Sequence, residues 1–206
     1  MGLVMKNGRL EFPNAYRNKF ITMVDKDIPT TPMGPSKDLD PPNAITPAMR
    51  LCIDRLQELF VARPISTRRT IFNTYLEKYG PGNPDVPGDH WRPILRFALP
   101  YVCYMFRSGP FRDAYVRHGI DPRKEAKWAG YQTAIFNFRT GNWRNQYVAP
   151  TEATNEINTK SHLFTGKDVG TKVLCFSFAD VLDPLVRKVL DKSPLREKFD
   201  VTSPGV

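Results

Sequence analysis

The chain is poor in the residues that most protein chemistry needs, and those it has are wrongly spaced for it. Among 206 residues there are three cysteines and three histidines. Cys52, Cys103 and Cys175 lie far apart in apolar runs, where a thiol packs as a small hydrophobe. They lack the paired spacing of a disulfide framework or a zinc site. His90, His118 and His162 show no HExxH or related ligand spacing, and Gly166-Lys167 lacks the upstream glycine and the following Ser or Thr of a phosphate loop. No Ser or Cys stands in a recognisable nucleophile context. These gaps argue against an enzyme, a metal site or a bound cofactor. No apolar run approaches the roughly 18 residues of a membrane span, and MGLVMKNGRLEF lacks the apolar core of a secretory signal. The expectation is an intracellular protein with no membrane partner. Internal repeats are absent too.

What the chain has in excess is positive charge. Lys and Arg number 30 against 21 Asp and Glu, a net charge of +9 with a pI near 9.6. Almost all of it lies between Arg63 and Arg144, where 14 basic residues face 6 acidic ones, while residues 1–62 and 145–206 are close to balance. At its centre the segment 92–123 carries Arg92, Arg96, Arg107, Arg112, Arg117 and Arg123 among aromatic and β-branched residues. Arginine on elements that also need an apolar face predicts a folded surface meeting phosphate, not a disordered basic tail.

Hydrophobic spacing predicts the elements that carry this charge. Six prolines between Pro29 and Pro47 mark an extended connector, with a short strand before it at Tyr16 to Val24. Met49, Cys52, Ile53, Leu56, Leu59 and Phe60 recur at helical intervals behind Thr46 as N-cap and Pro47 as first helical residue. An extended piece at Arg63 to Ile65 leads to a second helix, with Ser66 as N-cap and Gly80 as stop. A third helix is expected after Asp89 and up to Pro100, with Ile94, Leu95, Ala98 and Leu99 inward and Arg92 and Arg96 together on the free face. Tyr101 to Arg107 and Phe111 to His118, joined by Ser108-Gly109-Pro110, read as a β-hairpin. YQTAIFNFR and KVLCFSF read as further strands, with a long loop at 142–159 between them, and Pro184 to Leu190 as a short helix after Asp183.

Helix, extended piece, helix, helix and hairpin is the order of a winged helix-turn-helix. The expected fold is therefore α+β, with a winged-helix domain over residues 46–125 and a small β-containing subdomain built from the flanks 1–45 and 126–206. Its third helix would enter the major groove. The candidate contacts to double-stranded DNA are Arg92 and Arg96 on that helix, Arg68 and Arg69 in the first turn of the second helix, Arg107 and Arg112 beside the hairpin tip, and Arg117, Arg123, Lys124 and Lys127 along the basic strip. Guanidinium geometry matches phosphate and guanine edges, and a helix N-terminus favours phosphate. Solvated helix faces and local ion pairs, such as Arg112 with Asp113, compete with each assignment. Tyr101, Tyr104, Phe106, Phe111 and Tyr115 are expected in the core rather than as stacking platforms. The acids from Asp180 onward suggest a C-terminal segment folded back over the basic strip. A winged helix also serves as a protein-docking platform, and an acidic segment of another protein is the competing partner.

RPISTRRTIFNTYL, LRFALPYVCYMFRSGPFRDAYVRHGIDPRK and YQTAIFNFR resemble the helix-turn-helix region of the A-box-binding subunit of transcription factor TFIIIC. The likeness is tight over residues 63–139, and Phe111 stands where the family pattern has tryptophan after Gly-Pro. The resemblance implies a non-enzymatic, nuclear subunit of an RNA polymerase III factor that binds the internal promoters of transfer RNA genes. It also implies other TFIIIC subunits and polymerase III initiation factors as partners. Family members are longer, so the chain is expected to be an excised, monomeric DNA-binding module.

Overall fold

The structure, a computed structural model, describes residues 4–6, 9–11, 19–30, 45–80, 91–137, 159–166 and 173–192. Near the N-terminus Val4–Lys6 (β1) and Arg9–Glu11 (β2) pair antiparallel, a hairpin the sequence pattern does not predict. Phe20–Ile21 forms β3, inside the strand expected from Tyr16 to Val24. Helix α1, Pro47–Ala62, opens as its sequence dictates: Thr46 Oγ1 accepts from the Met49 N–H at 3.3 Å and proline occupies the first turn. Its inward face is Met49, Cys52, Ile53, Leu56 and Phe60.

Ile65–Thr67 (β4) runs straight into α2, Arg68–Tyr79. The cap of α2 is Thr67 and not Ser66: the Thr67 hydroxyl accepts from the Thr70 N–H at 3.2 Å, while Ser66 is buried in the strand. The strand lies two residues later than expected, with Ile65, Ser66 and Thr67 all buried. Gly80, at φ 74°, stops the helix as expected. Helix α3, Trp91–Val102, passes through Pro100, where the sequence suggests a stop. A proline in the last turn removes only its own N–H and leaves the Arg96 carbonyl without its helical donor. Leu99, Pro100 and Val102 are all buried, so packing carries the helix past it. Asp89, the expected cap, lies outside the described residues.

Because α3 persists to Val102, the hairpin is shorter than the apolar runs that predict it: Cys103–Phe106 (β5) and Ala114–Arg117 (β6). They join β3 and β4 in one four-stranded sheet of order β3-β5-β6-β4, with β5 and β4 antiparallel to β6 and β3 parallel to β5. Thr133–Asn137 (β7) and Val173–Ser177 (β8) pair antiparallel as a separate ribbon. Helix α4, Pro184–Lys192, follows, with Asp183 Oδ1 accepting from the Leu185 and Val186 N–H groups. The protein is thus α+β. Strand β3 of the N-terminal flank is the fourth strand of the main sheet, and β7, β8 and α4 enclose an apolar cluster of Phe164, Phe176 and Val181. Most of the expected loop at 142–159 lies outside the described residues.

Two larger clusters flank the main sheet. The helical one holds α1, α2 and α3 together through Leu56, Phe60, Ile71, Leu95 and Leu99. On the opposite face Ile21, Ile65, Tyr104, Phe106, Phe111 and Val116 pack with Trp128 and Tyr131. Burying such side chains contributes about 1.5–3 kcal/mol each. Tyr104, Phe106, Phe111 and Tyr115 are buried, as expected of a hairpin over a three-helix core, and Tyr101 is half-buried.

A polar weld joins the C-terminal ribbon to the helices. The Arg63 guanidinium donates to both carboxylate oxygens of Asp180, at 2.6 and 2.8 Å, and through Nε to the Ile65 carbonyl. The Thr70 hydroxyl donates to the same carboxylate at 2.8 Å. Asp180 is 2% exposed, so removing its partners strands a buried charge. Asp180, the first acid of the C-terminal segment expected to fold back, is thus committed to Arg63 and Thr70, and residues 193–206 of that segment lie outside the described residues.

Substituting Arg63→Ala, which strands the buried Asp180 carboxylate, should lower stability by about 3–5 kcal/mol, the cost of breaking a buried pair by deleting one partner, as read by urea unfolding. A midpoint equal to wild type would show that the weld carries no stability.

Candidate nucleic-acid interface

Strand β6 is buried on both faces, and its alternation divides the two core clusters. Ala114 and Val116 point into the sheet cluster, and Tyr115 points the other way, against the helices. Burial pushes the Tyr115 phenol up to about 12, and the charges of Arg68 and Arg96 pull against that shift. Both arginines are exposed, and among the described residues neither makes a salt bridge. Arg68 lies in the first turn of α2 with its guanidinium 5.3 Å from the Phe72 ring centroid. Arg96 projects from α3 opposite its buried Leu95, Ala98 and Leu99. Arg92 is one turn earlier on α3, and its side chain lies outside the described residues.

The other candidates divide by what already holds them. Arg69 is half-buried, donates to the Ser161 carbonyl at 3.1 Å and covers the Phe176 ring at 5.5 Å. It braces α2 against the ribbon. Arg123 is more firmly committed: it donates to both Asp121 carboxylate oxygens and to the carbonyls of Met23 and Asp25, with 13% of its side chain exposed. Burial pushes the Asp121 carboxyl up, and the hydrogen bonds and charge of Arg123 outweigh it, holding the group below the usual carboxylate range. Lys127 pairs with Glu125 at 2.6 Å and sits over Trp128. Arg117 is half-buried at the end of β6, and Lys124 is exposed.

Arg107 and Arg112 remain exposed at the two ends of the β5–β6 turn. Arg112 approaches Asp113 at 3.7 Å, the weak local pairing its sequence neighbour suggests. The turn does not project freely. Met23 packs so closely that a Cβ on Gly109 would fall 2.1 Å from its Cγ. On the other side Thr133 donates its N–H to the Pro110 carbonyl at 2.7 Å and its hydroxyl to the Arg112 carbonyl at 2.6 Å. Asp113 adopts φ 62°, in the left-handed region, which aspartate tolerates better than most residues.

Local sequence does not reveal Arg63 and Asp180, which meet across 117 residues, or the use of Phe20 beneath Arg107, 4.6 Å from guanidinium to ring centroid. An aromatic residue 41% exposed on a two-residue strand carries no periodic signal. The described residues contain no cluster of metal-ligating side chains and no helix long and apolar enough to cross a membrane.

Helix order, sheet pairing and the arginines of α2 and α3 define a helix-turn-helix protein. Residues 5–137 match the family described as Tau95, the RNA polymerase III transcription factor (TF)IIIC subunit HTH domain, and the chain belongs to that family. It is 34% identical over 146 residues to transcription factor tau subunit sfc1 of Schizosaccharomyces pombe, covering 71% of this chain and 27% of the relative. The transcription factor tau 95 kDa subunit of Saccharomyces cerevisiae is 33% identical over 41% of this chain and 11% of its own length. General transcription factor 3C polypeptide 5 of Homo sapiens is 28% identical over 59% of this chain and 21% of its own length. The chain therefore spans about a quarter or less of these curated relatives. A solved chain titled Sfc1-DBD superposes with a TM-score of 0.64 at 29% identity, covering 89% of this chain and 75% of that one. These relatives are transcription factor subunits, not enzymes.

Two half-buried imidazoles set a pH dependence. Burial lowers the pKa of His118, against the pull of the Pro100 carbonyl, and lowers that of His162, against the Asp180 charge. A folded-state pKa below the unfolded value means that the unfolded chain binds the proton more tightly, so stability is complete above about pH 6.5 and falls below it. Thermal melts at pH 7.5 and 5.5 should show a lower Tm at pH 5.5, with the difference shrinking in His118→Gln. An unchanged Tm would contradict the burial of both rings.

Proposed function

We propose that this chain is a winged-helix module that binds double-stranded DNA within TFIIIC, contacting the internal A-box promoter of transfer RNA genes in the nucleus. The observation that carries the reading is the exposure of Arg68, in the first turn of α2, and of Arg96, on α3, with no salt bridge to either among the described residues. Two exposed guanidinium groups from the first turn of α2 and the free face of α3 form one positive surface without salt-bridging carboxylates among the described residues. The N-terminus of α2 adds backbone N–H groups and the positive end of its dipole. Phosphate gains charge-assisted hydrogen bonds there, and a base edge is within the chemistry of arginine. The solved relative carries DBD, the usual abbreviation for a DNA-binding domain, in its title, which supports the same reading.

In this arrangement α3, with Arg92 and Arg96, enters the major groove. Arg68 clamps the backbone beside it, and Arg107 and Arg112 reach the neighbouring strand from the turn. Arg117 and Lys124 add longer-range attraction. Arg69, Arg123 and Lys127 act mainly on their own protein partners. The turn, held between Met23 and Thr133, works as a fixed edge, which lowers the entropy lost on binding.

Other TFIIIC subunits and polymerase III initiation factors are the proposed protein partners. Helix α4 supports a docking role beside the DNA role: Leu185 and Val189 are 77% and 65% exposed, and the helix carries Lys188 and Lys192, a pattern suited to an acidic, apolar segment.

Fluorescence anisotropy with a labelled transfer-RNA-gene promoter duplex and a scrambled duplex, across salt, tests the DNA reading. Arg68→Ala/Arg96→Ala should weaken binding at least tenfold, roughly the 1.4 kcal/mol or more expected from losing charge-assisted contacts. Its log–log salt slope should flatten by about 0.9 for each phosphate contact removed. Equal affinity in wild type and double variant would remove α2 and α3 from the interface.

A further inference from the structure

The structure gives an unexpected job to the short N-terminal strand β3 and the turn that follows it. Met105 N–H donates to the Lys19 carbonyl at 2.9 Å and Arg107 N–H to the Ile21 carbonyl at 2.8 Å, so β3 lies alongside the strand that leads to Arg107. The turn is bonded at both ends of its path. Arg123 grips the Met23 and Asp25 carbonyls, Ser108 Oγ accepts from the Met23 N–H at 3.4 Å, and Met23 rests on Gly109. The Asp25 carboxylate is folded back onto the Thr22 N–H and hydroxyl, and these hydrogen bonds lead the causes that lower its pKa. Its charge is therefore used within the turn. Lys19 remains exposed beside it.

Phe20 completes the arrangement. Its ring is 41% exposed, an arrangement that wastes apolar burial unless something else uses the ring. Arg107 lies over it at 4.6 Å, a cation–π distance. A flexible arginine at a turn loses rotamer freedom when it binds phosphate, and a ring that already holds it extended removes part of that loss.

We propose that β3 and the turn 22–25 form a built part of the duplex-contacting edge, in which Phe20 is a positioning residue that holds the Arg107 guanidinium toward a backbone phosphate. Arg123 positions the turn from beneath without touching DNA. The inference rests on the duplex-binding reading above and adds a third strand to its contact surface.

A double-mutant cycle on the full chain tests it, with the promoter duplex as probe in anisotropy and circular dichroism melts as the check on folding. Phe20→Ala and Phe20→Leu, the latter keeping apolar bulk without the ring, should each weaken binding by about three- to tenfold, on the scale of the Arg107 rotamer freedom that the ring removes before binding. Phe20→Trp should retain affinity. Arg107→Ala should weaken binding and flatten the salt slope by about 0.9, and adding Phe20→Ala to it should cost nothing more. Additive losses, wild-type affinity in Phe20→Leu, or failure of Phe20→Trp to retain affinity would overturn the inference while leaving the DNA reading intact. Absence of duplex binding by wild type at low salt would overturn both.

Discussion

The bidentate pair between Arg63 and Asp180, with the Thr70 hydroxyl on the same carboxylate, ties three separate parts of the molecule to one buried charge. Arg63 terminates α1 and precedes β4, Thr70 belongs to the first turns of α2, and Asp180 follows β8. The carboxylate cannot leave its partners without losing hydration as well as charge compensation. The start of α2 is consequently fixed against the ribbon from one side, while Ile65 and Thr67 fix it against the sheet from the other. That same first turn carries Arg68 and Arg69. One is left to solvent and the other is drawn over Phe176, so a stability element decides which of two adjacent arginines stays exposed.

A second network does the same for the opposite edge. Arg123 is held by Asp121 and in turn holds the backbone between Met23 and Asp25. Its guanidinium fills several acceptors at once, which its planar fork permits and a lysine does not. The turn it supports packs on Gly109, and the positive φ of that glycine allows the chain to reverse where a side chain would collide with Met23. Thr133 closes the arrangement from the ribbon side. The β5–β6 turn is thus held between two segments of the chain, at Met23 and Thr133, and the arginines at its ends stand on a supported base.

The basic character of the chain is therefore divided between two tasks. Of the arginines in the central segment, Arg63, Arg69 and Arg123 are consumed by internal carboxylates, carbonyls and aromatic rings, while Arg68, Arg96, Arg107 and Arg112 keep their guanidinium groups at the surface. A charge count along the sequence treats both sets alike. For the family of TFIIIC subunits to which the chain belongs, the distinction narrows a broad positive strip to a face bounded by α2, α3 and the turn.

Local sequence determined the elements whose signals are local. Thr46 and Pro47 start α1, Gly80 stops α2, Asp183 caps α4, and the apolar stripe of α3 leaves Arg96 outward. Each depends on contacts within a few residues, so spacing alone is sufficient. The order of helices and hairpin, and with it the helix-turn-helix class, was legible for the same reason. Tertiary structure alone decided the rest. Pro100 stays helical because its surroundings bury it, Thr67 rather than Ser66 caps α2 because Ser66 is drawn into the sheet, and β3 joins β5 through carbonyls that any residue possesses. Above all it decided which arginines are spent inside the protein, because their partners lie up to 117 residues away and the energy of pairing two distant charges depends on burial and geometry that no local pattern encodes.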